Sequence, residues 1–103
     1  DRGHRRSEVV LPAPAPPAAA HRRFICDAGA PRRARIWAAE TLGDCLPDTE
    51  WSVDLLERTV LQASELVAEA VVAGAAAVLL TLEIDGERLL LSRFEELRGG
   101  DLL

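Results

Sequence analysis

The chain has 103 residues, enough for one domain of ordinary size with a buried core. It is 49% hydrophobic but has no Tyr or Met, and only two Phe and two Trp, so the core is expected to be aliphatic. The net charge is −5 and is unevenly divided: residues 1–35 carry eight Arg against three acids, whereas residues 36–103 carry four Arg against fourteen acids. An acidic body repels phosphate, which argues against a nucleic-acid surface.

Few residues of the kinds that bind metals or form disulfides are present. Cys26 and Cys45 do not make a disulfide framework, and with the two His they do not make a four-ligand zinc motif. We therefore expect no cofactor. The longest uncharged apolar run, residues 70–82, is too short to span a bilayer, and no secretory signal is visible. The protein is expected to be cytoplasmic, with reduced thiols.

Residues 1–20 are expected to be a disordered arm. The prolines of residues 12–17 favour an extended polyproline conformation that has no internal hydrogen bonds. A solvated tail is the simplest interpretation. Contact of its Arg side chains with an acidic partner or a nucleic acid stays open, as does binding of its prolines to a recognition domain. Residues 22–27 then predict a short strand.

Two helices are predicted next. Pro31 suits the first turn of a helix that runs to about Cys45. Spacings of three and four predict that one stripe of this helix is buried: Ala34, Trp37, Ala38, Thr41, Leu42 and Cys45. A second helix is expected from about Ser52 to Ala73, before Gly74. Its predicted stripe comprises Val53, Leu56, Val60, Ala63, Val67 and Ala70, and Leu56, Val60, Val67 and Val71 are expected to face the sheet.

Two strands complete the pattern. Residues 77–84 predict a strand, Asp85-Gly86 is a strong hairpin signal, and residues 87–94 predict the returning strand. The core is expected to include Leu80, Leu82, Leu89 and Leu91.

The order strand, helix, helix, strand, strand predicts an α+β fold. We expect a two-layer sandwich with both helices on one face of a small, mainly antiparallel sheet. This domain would span residues 21–95, between the N-terminal arm and a C-terminal tail of residues 96–103.

Several segments together resemble the GHKL ATPases, especially the small serine kinases of the anti-sigma-factor type that are common in actinobacteria. The absence of Lys and the abundance of Ala also indicate a high-GC bacterial genome. The segments are Arg32–Arg35, the run Ser-Glu-Leu-Val-Ala-Glu-Ala-Val at residues 64–71, and Asp85–Leu89. In that family the helical run is roughly Ser-Glu-Leu-Val-Thr-Asn-Ala. The resemblance covers residues 22–95 and implies a truncated GHKL fold.

The resemblance assigns roles to two glutamates on the second helix. Glu65 matches the position of the family's general base. Glu69 replaces the Asn that holds magnesium, on the same helix face one turn later. An ionised carboxylate repels triphosphate oxygens and has no donor, unlike the amide. The alternatives for this pair are solvated carboxylates, a divalent-cation site or an acidic patch that faces a partner.

The next nucleotide-binding motif also departs from the family. Glu95 stands at or near the position of the Asp that reads adenine, and Leu97 stands where the family needs a Gly for close backbone approach. The phosphate-binding lid and the last strands have no counterpart in the 103 residues. The resemblance therefore implies a degenerate site at Glu69 and Glu95, with no catalytic residue and no bound nucleotide.

We therefore expect a non-catalytic regulatory module that binds proteins and derives from an anti-sigma-factor-type ATPase domain. The implied partner is a sigma factor, an anti-sigma antagonist or a related regulator of transcription, with no direct contact to nucleic acid or membrane. Two alternatives stay open: an active ATP-dependent serine kinase or ATPase with an atypical site, and a structural subunit of a larger assembly.

Residues 87–94 are also expected to form an exposed strand edge that is apolar on both faces. We therefore expect a homodimer, or a heterodimer with a related domain, that buries this edge or a helix face. The candidate interface residues are Trp37, Trp51, Leu90 and Phe94. The alternative is a monomer whose tail folds back over the edge.

Overall fold

The computed structural model describes residues 4–46 and 53–97. They form four elements in the order β1 (His4–Ile25), α1 (Ala30–Cys45), α2 (Val53–Val72) and β2 (Ala77–Glu96). The two β elements pair antiparallel in one sheet. The fold is therefore α+β, as the sequence predicts.

β2 is a continuous element that turns back on itself. Its 20 residues would reach about 66 Å if fully extended, whereas the whole molecule is only 43 Å long. The N–H of Ala76 donates to the carbonyl oxygen of Glu96 at 2.8 Å, so the two ends of β2 lie side by side. Gly86 has a φ of +63°, a left-handed conformation that suits glycine at a turn. The bend therefore lies at Asp85-Gly86, in agreement with the predicted hairpin.

β1 follows β2 along both of its arms. Residues 4–10 run opposite residues 94–88, and residues 18–25 run opposite residues 84–77. Between these stretches the register shifts, in the segment that contains the four prolines. Proline cannot donate a ladder hydrogen bond, which suits a chain reversal. The arms of β1 therefore form the two edges of the sheet, and the arms of β2 form its centre.

This arrangement corrects two expectations. Residues 4–20 are not a disordered arm, because they belong to β1, where Val9 and Leu11 are buried in the core. Residues 87–94 are not an open edge, because residues 4–10 pair with them. Local proline content favours a solvated arm, but ladder hydrogen bonds and burial of apolar side chains outweigh that preference. Residues 1–3 lie outside the described part of the chain.

α1 has the predicted buried stripe. Ala34, Trp37, Ala38, Thr41 and Leu42 are all buried, and Cys45 is half-buried. Pro31 lies in the first turn, where its missing N–H leaves no helix bond unmade.

α2 is rotated relative to its predicted stripe. The residues that it buries are Leu55, Thr59, Ala63, Leu66, Val67 and Ala70. Leu56 and Val71 are partly buried and pack against the core, so their predicted side is right and only the degree of burial is lower. Val60 is also only half-buried, and Val53 is exposed, so the prediction for Val53 was wrong. The helix is apolar on several sides, and the spacing of its apolar residues does not predict which side is buried most deeply. The buried Thr59 hydroxyl is satisfied because it donates to the Leu55 carbonyl oxygen at 2.9 Å.

Both helices pack on one face of the sheet. The side chains of β2 that point to the helices alternate along each arm, and they are buried: Val78, Leu80, Leu82, Ile84, Leu89 and Leu91. They join the buried stripes of α1 and α2 in one aliphatic core. The opposite side of the sheet, which we call the outer face, carries no helix of the described residues.

Candidate functional site

A buried arginine joins the two positions at which the sequence departs from the GHKL pattern. Arg93 Nη1 donates to the Glu69 carboxylate at 2.7 Å and to the Leu66 carbonyl oxygen at 2.9 Å. Its Nη2 lies 3.5 Å from the Glu95 carboxylate. The side chains of Arg93 and Glu95 are only 4% and 6% exposed. Glu69 and Glu95 are therefore tied to the same cation.

Arg5 adds a second cation from the first arm of β1. Its Nη1 lies 3.1 Å from the same Glu69 oxygen that Arg93 contacts. Arg5, Glu69, Arg93 and Glu95, here named the Arg93 cluster, contain two cations and two carboxylates. The charges balance, which is the condition under which buried ions are tolerated.

Strand alternation places the cluster at the sheet–helix interface. Arg93 and Glu95 share the inner side of β2 with Leu89 and Leu91, and α2 lies over this side. The sequence interpretation assigns Arg93 no role in the site and so misses it. The alternation of Leu89, Leu91 and Arg93 was the available signal, because it places the guanidinium on the core side.

The cluster leaves little capacity for a nucleotide or a metal ion at Glu69. One carboxylate oxygen already accepts a hydrogen bond from Arg93 and forms an ion pair with Arg5. The Nε of Arg93 is buried and has no hydrogen-bond partner among the described residues, so this side chain is held by its terminal nitrogens alone. A ligand that entered here would have to separate charge pairs that the sheet and α2 hold together.

Glu65 lies outside the cluster. It is exposed on α2, one turn before Glu69, and makes no ion pair with any described residue. With Ala68, Glu69, Val72 and Ala73 it borders a shallow groove of about 430 Å³. The position of the family's general base is thus open to solvent rather than aimed at a closed site.

The four interface candidates have different surroundings. Trp37 is buried and packs edge-on against Phe24 with ring centroids 6.0 Å apart, so it is a core residue. Trp51 lies outside the described residues. Leu90 is half-buried, and Phe94 is 43% exposed. The Phe94 ring stacks on His4 at 4.4 Å, so it lies on the outer face beside the first arm of β1.

A larger groove, of about 540 Å³, lies between α1 and the second arm of β1. Two of its arginines are already paired. Arg33 donates to Asp27 at 2.8 Å and to the Ile25 carbonyl oxygen at 3.2 Å, and Arg23 forms two bonds to Glu96 at 2.9 and 3.0 Å. Arg33 holds the pKa of the Asp27 carboxyl below its ordinary value. These pairs neutralise two of the three arginines that line the groove, and Arg22 is the third.

Two further kinds of site are not found in residues 4–46 and 53–97. No group of three or more His, Cys, Asp or Glu side chains is placed to hold a metal ion. None of the described helices combines the length and the apolar character needed to cross a membrane.

No protein-family model matches the chain, and a search of curated proteins finds no match. The GHKL resemblance therefore rests on its motif residues and on the order of the elements.

Proposed function

We propose that this protein is a non-catalytic module that binds other proteins and derives from a GHKL-type ATPase domain of the anti-sigma-factor class. The observation that carries the proposal is the Arg93 cluster. Both positions that the resemblance assigns to nucleotide binding, Glu69 and Glu95, have a buried guanidinium as their partner. That arrangement uses the site for packing and charge pairing instead of ligand binding.

The chemistry of the cluster supports loss of ATP binding. In the family, a neutral amide holds the metal that bridges the phosphates. Here the corresponding group is a carboxylate engaged by Arg5 and Arg93. A magnesium ion at the same oxygen of Glu69 would have to compete with both guanidinium groups, which weakens its binding. The Arg93–Glu95 contact uses the other terminal nitrogen of Arg93 and does not depend on Glu69.

Retention of the scaffold supports a role in binding. The helices and the sheet keep a complete aliphatic core although the nucleotide motifs have changed. In the related kinases, a helix-and-sheet surface holds a sigma factor or its antagonist, and such a role does not need ATP. The proposed partner is therefore a regulator of transcription of that class, bound by protein–protein contacts.

A two-part experiment tests the proposal. The melting temperature of the purified protein is measured with and without millimolar MgATP or MgADP, and tagged protein is used to capture partners from the native cytoplasm for mass spectrometry. We expect no nucleotide-dependent shift, together with capture of a sigma factor, an antagonist or a related regulator. A nucleotide-dependent rise of several degrees would favour the atypical kinase or ATPase, because ligand at about 100 times its Kd adds roughly 2.7 kcal/mol.

A control separates the cluster from the rest of the fold. Glu69→Asn recreates the family's amide at the metal position, and Glu65→Gln changes a neighbouring exposed carboxylate that makes no ion pair in the described structure. If the cluster excludes nucleotide, MgATP should raise the melting temperature of Glu69→Asn slightly. Glu65→Gln should show no such rise, like the unmodified protein. A shift in the unmodified protein itself contradicts the proposal.

A further inference from the structure

The outer face of the sheet is the largest surface that the described helices leave uncovered. Alternation along the strands places on this face the residues whose neighbours point into the core. Those from β2 are Leu79, Thr81, Glu83, Arg88, Leu90, Ser92, Phe94 and Glu96, and those from β1 include Arg6, Glu8, Val10 and Arg23.

The middle of the outer face is apolar. Leu79 and Leu90 lie on the two central arms and are half-buried by their neighbours, and Phe94 is 43% exposed. Val10, on an edge arm, is 66% exposed. Exposed apolar side chains framed by polar groups are typical of interaction sites.

The charges on this face compensate one another. Glu8 pairs with Arg88, and Arg23 pairs with Glu96. The two charges that remain, Arg6 and Glu83, are opposite in sign and make no ion pair with described residues. The outer face therefore has no net charge, although the chain as a whole carries −5. It is the part of an acidic molecule at which two copies can meet without electrostatic repulsion.

We infer that the outer face binds the outer face of a second copy of this chain, in a two-fold symmetric dimer. The two sheets pack face to face as in a β-sandwich, with the apolar centres in contact and the charge pairs at the rim. Self-complementarity is what a two-fold interface requires, and a face with balanced charges and an apolar centre satisfies it. This inference does not depend on whether nucleotide binding has been lost, so the two proposals are tested separately.

Light scattering combined with size-exclusion chromatography tests the dimer across the micromolar range. We expect the unmodified protein to have twice the chain mass of 11.2 kDa. Leu90→Arg puts a charge at the centre of the proposed interface and should yield a monomer. Thr81→Arg places a charge on the other central arm of the same face and should also yield a monomer. Val72→Arg is the matched control, because Val72 is 87% exposed on α2, away from the outer face.

Each outcome decides the matter. Circular dichroism identifies which variants fold, and Thr81→Arg replaces Leu90→Arg if the latter does not. Monomeric Leu90→Arg or Thr81→Arg together with dimeric Val72→Arg supports the inference. An unmodified protein that is monomeric throughout overturns it. A dimer that the folded Leu90→Arg and Thr81→Arg variants both leave intact overturns it as well, and so does a dimer that all three variants dissociate.

Discussion

Arg93 and Glu69 are separated by 24 residues in the chain, and a 2.7 Å hydrogen bond joins them in the structure. The bond connects the returning arm of β2 with α2, and Glu95 and Arg5 extend it on either side. A position that resembles a magnesium ligand is thereby used as the acceptor of a buried guanidinium. This relationship is the physical basis for the proposal that the protein does not bind ATP.

Replacement of Arg93 should be among the most damaging single changes. Arg93→Met removes the bonds to Leu66 and Glu69 and leaves the buried Glu95 carboxylate without its cation. We expect a loss of about 3–5 kcal/mol in the free energy of unfolding, measured by urea denaturation. Arg58→Met is the control, because the Arg58–Asp54 pair is exposed and such pairs contribute roughly 0–1 kcal/mol. Equal effects of the two changes would contradict the assigned role of Arg93.

The double variant separates charge from packing. Arg93→Met combined with Glu95→Leu removes the buried carboxylate as well as its partner. Replacement of both members of a buried pair by apolar groups is often close to neutral. The double variant should therefore be more stable than Arg93→Met alone. If it is less stable, the cost of the single change comes from lost packing and not from an unpaired charge.

The buried side of α2 is tested by the same substitution at two positions. Val67 is fully buried and Val72 is exposed near the end of the helix. Val67→Ala should lower the free energy of unfolding by about 1–3 kcal/mol, through lost transfer energy and the cavity left behind. Val72→Ala should change it by less than about 0.5 kcal/mol. The midpoints of denaturant unfolding compare the two directly, and a negligible effect at Val67 would show that the helix face is wrongly assigned.

Two glycines should respond to alanine in opposite directions. Gly74 follows α2 with a φ of +80°, and Gly43 lies inside α1; an added Cβ would meet no atom within 4 Å at either position. Gly74→Ala should therefore destabilise by about 1–2 kcal/mol for conformational reasons alone. Gly43→Ala should stabilise by about 0.5–1 kcal/mol, because alanine is the better helix former. Melting temperatures that move in the same direction would contradict these conformations.

The Asp27–Arg33 pair predicts a defined pH response. The hydrogen bond from Arg33, aided by the Gly29 N–H, holds the pKa of Asp27 below its ordinary value, which is about 3.9. Because the pKa is lower in the folded state, the pair's contribution is complete above the ordinary value and is lost as pH falls through the folded-state pKa. Arg33→Gln should raise the Asp27 pKa, measured by carboxyl-detected NMR titration, whereas Arg32→Gln should leave it unchanged. An unaltered Asp27 pKa in Arg33→Gln would contradict the pairing.

Local signals in the sequence predict the local structure well. The helix bounds come within about two residues because Pro31 and Gly74 mark helix ends and apolar spacing marks the interior. The Asp85-Gly86 turn follows from a dipeptide whose glycine adopts a positive φ. The long-range pairing of residues 4–10 with residues 94–88 has no such local signature, so the proline-rich segment beside it suggests an unstructured arm.

Only part of the candidate site could be predicted from the sequence, because its contacts also join remote segments of the chain. Glu65, Glu69 and Glu95 stand out in the sequence because the proposed GHKL resemblance assigns them to motif positions. Arg93 occupies no motif position, and its role depends on α2 lying over the inner side of β2. Arg5 is more distant still, because its contact with Glu69 requires the first arm of β1 to complete the sheet. Charge partners between remote segments become visible only once the sheet order is known.

The central claim is that the Arg93 cluster occupies the nucleotide position, and an NMR titration with MgATP tests it most directly. The signals to follow are the backbone amides of residues 65–73 and the Nε–H of Arg93. We predict that none of them shifts in a saturable way at millimolar MgATP, and that the Arg93 signal stays protected from exchange with water. Saturable shifts of the Glu69 amide and the Arg93 Nε–H, with loss of that protection, would show that the cluster opens to admit nucleotide and would contradict the account.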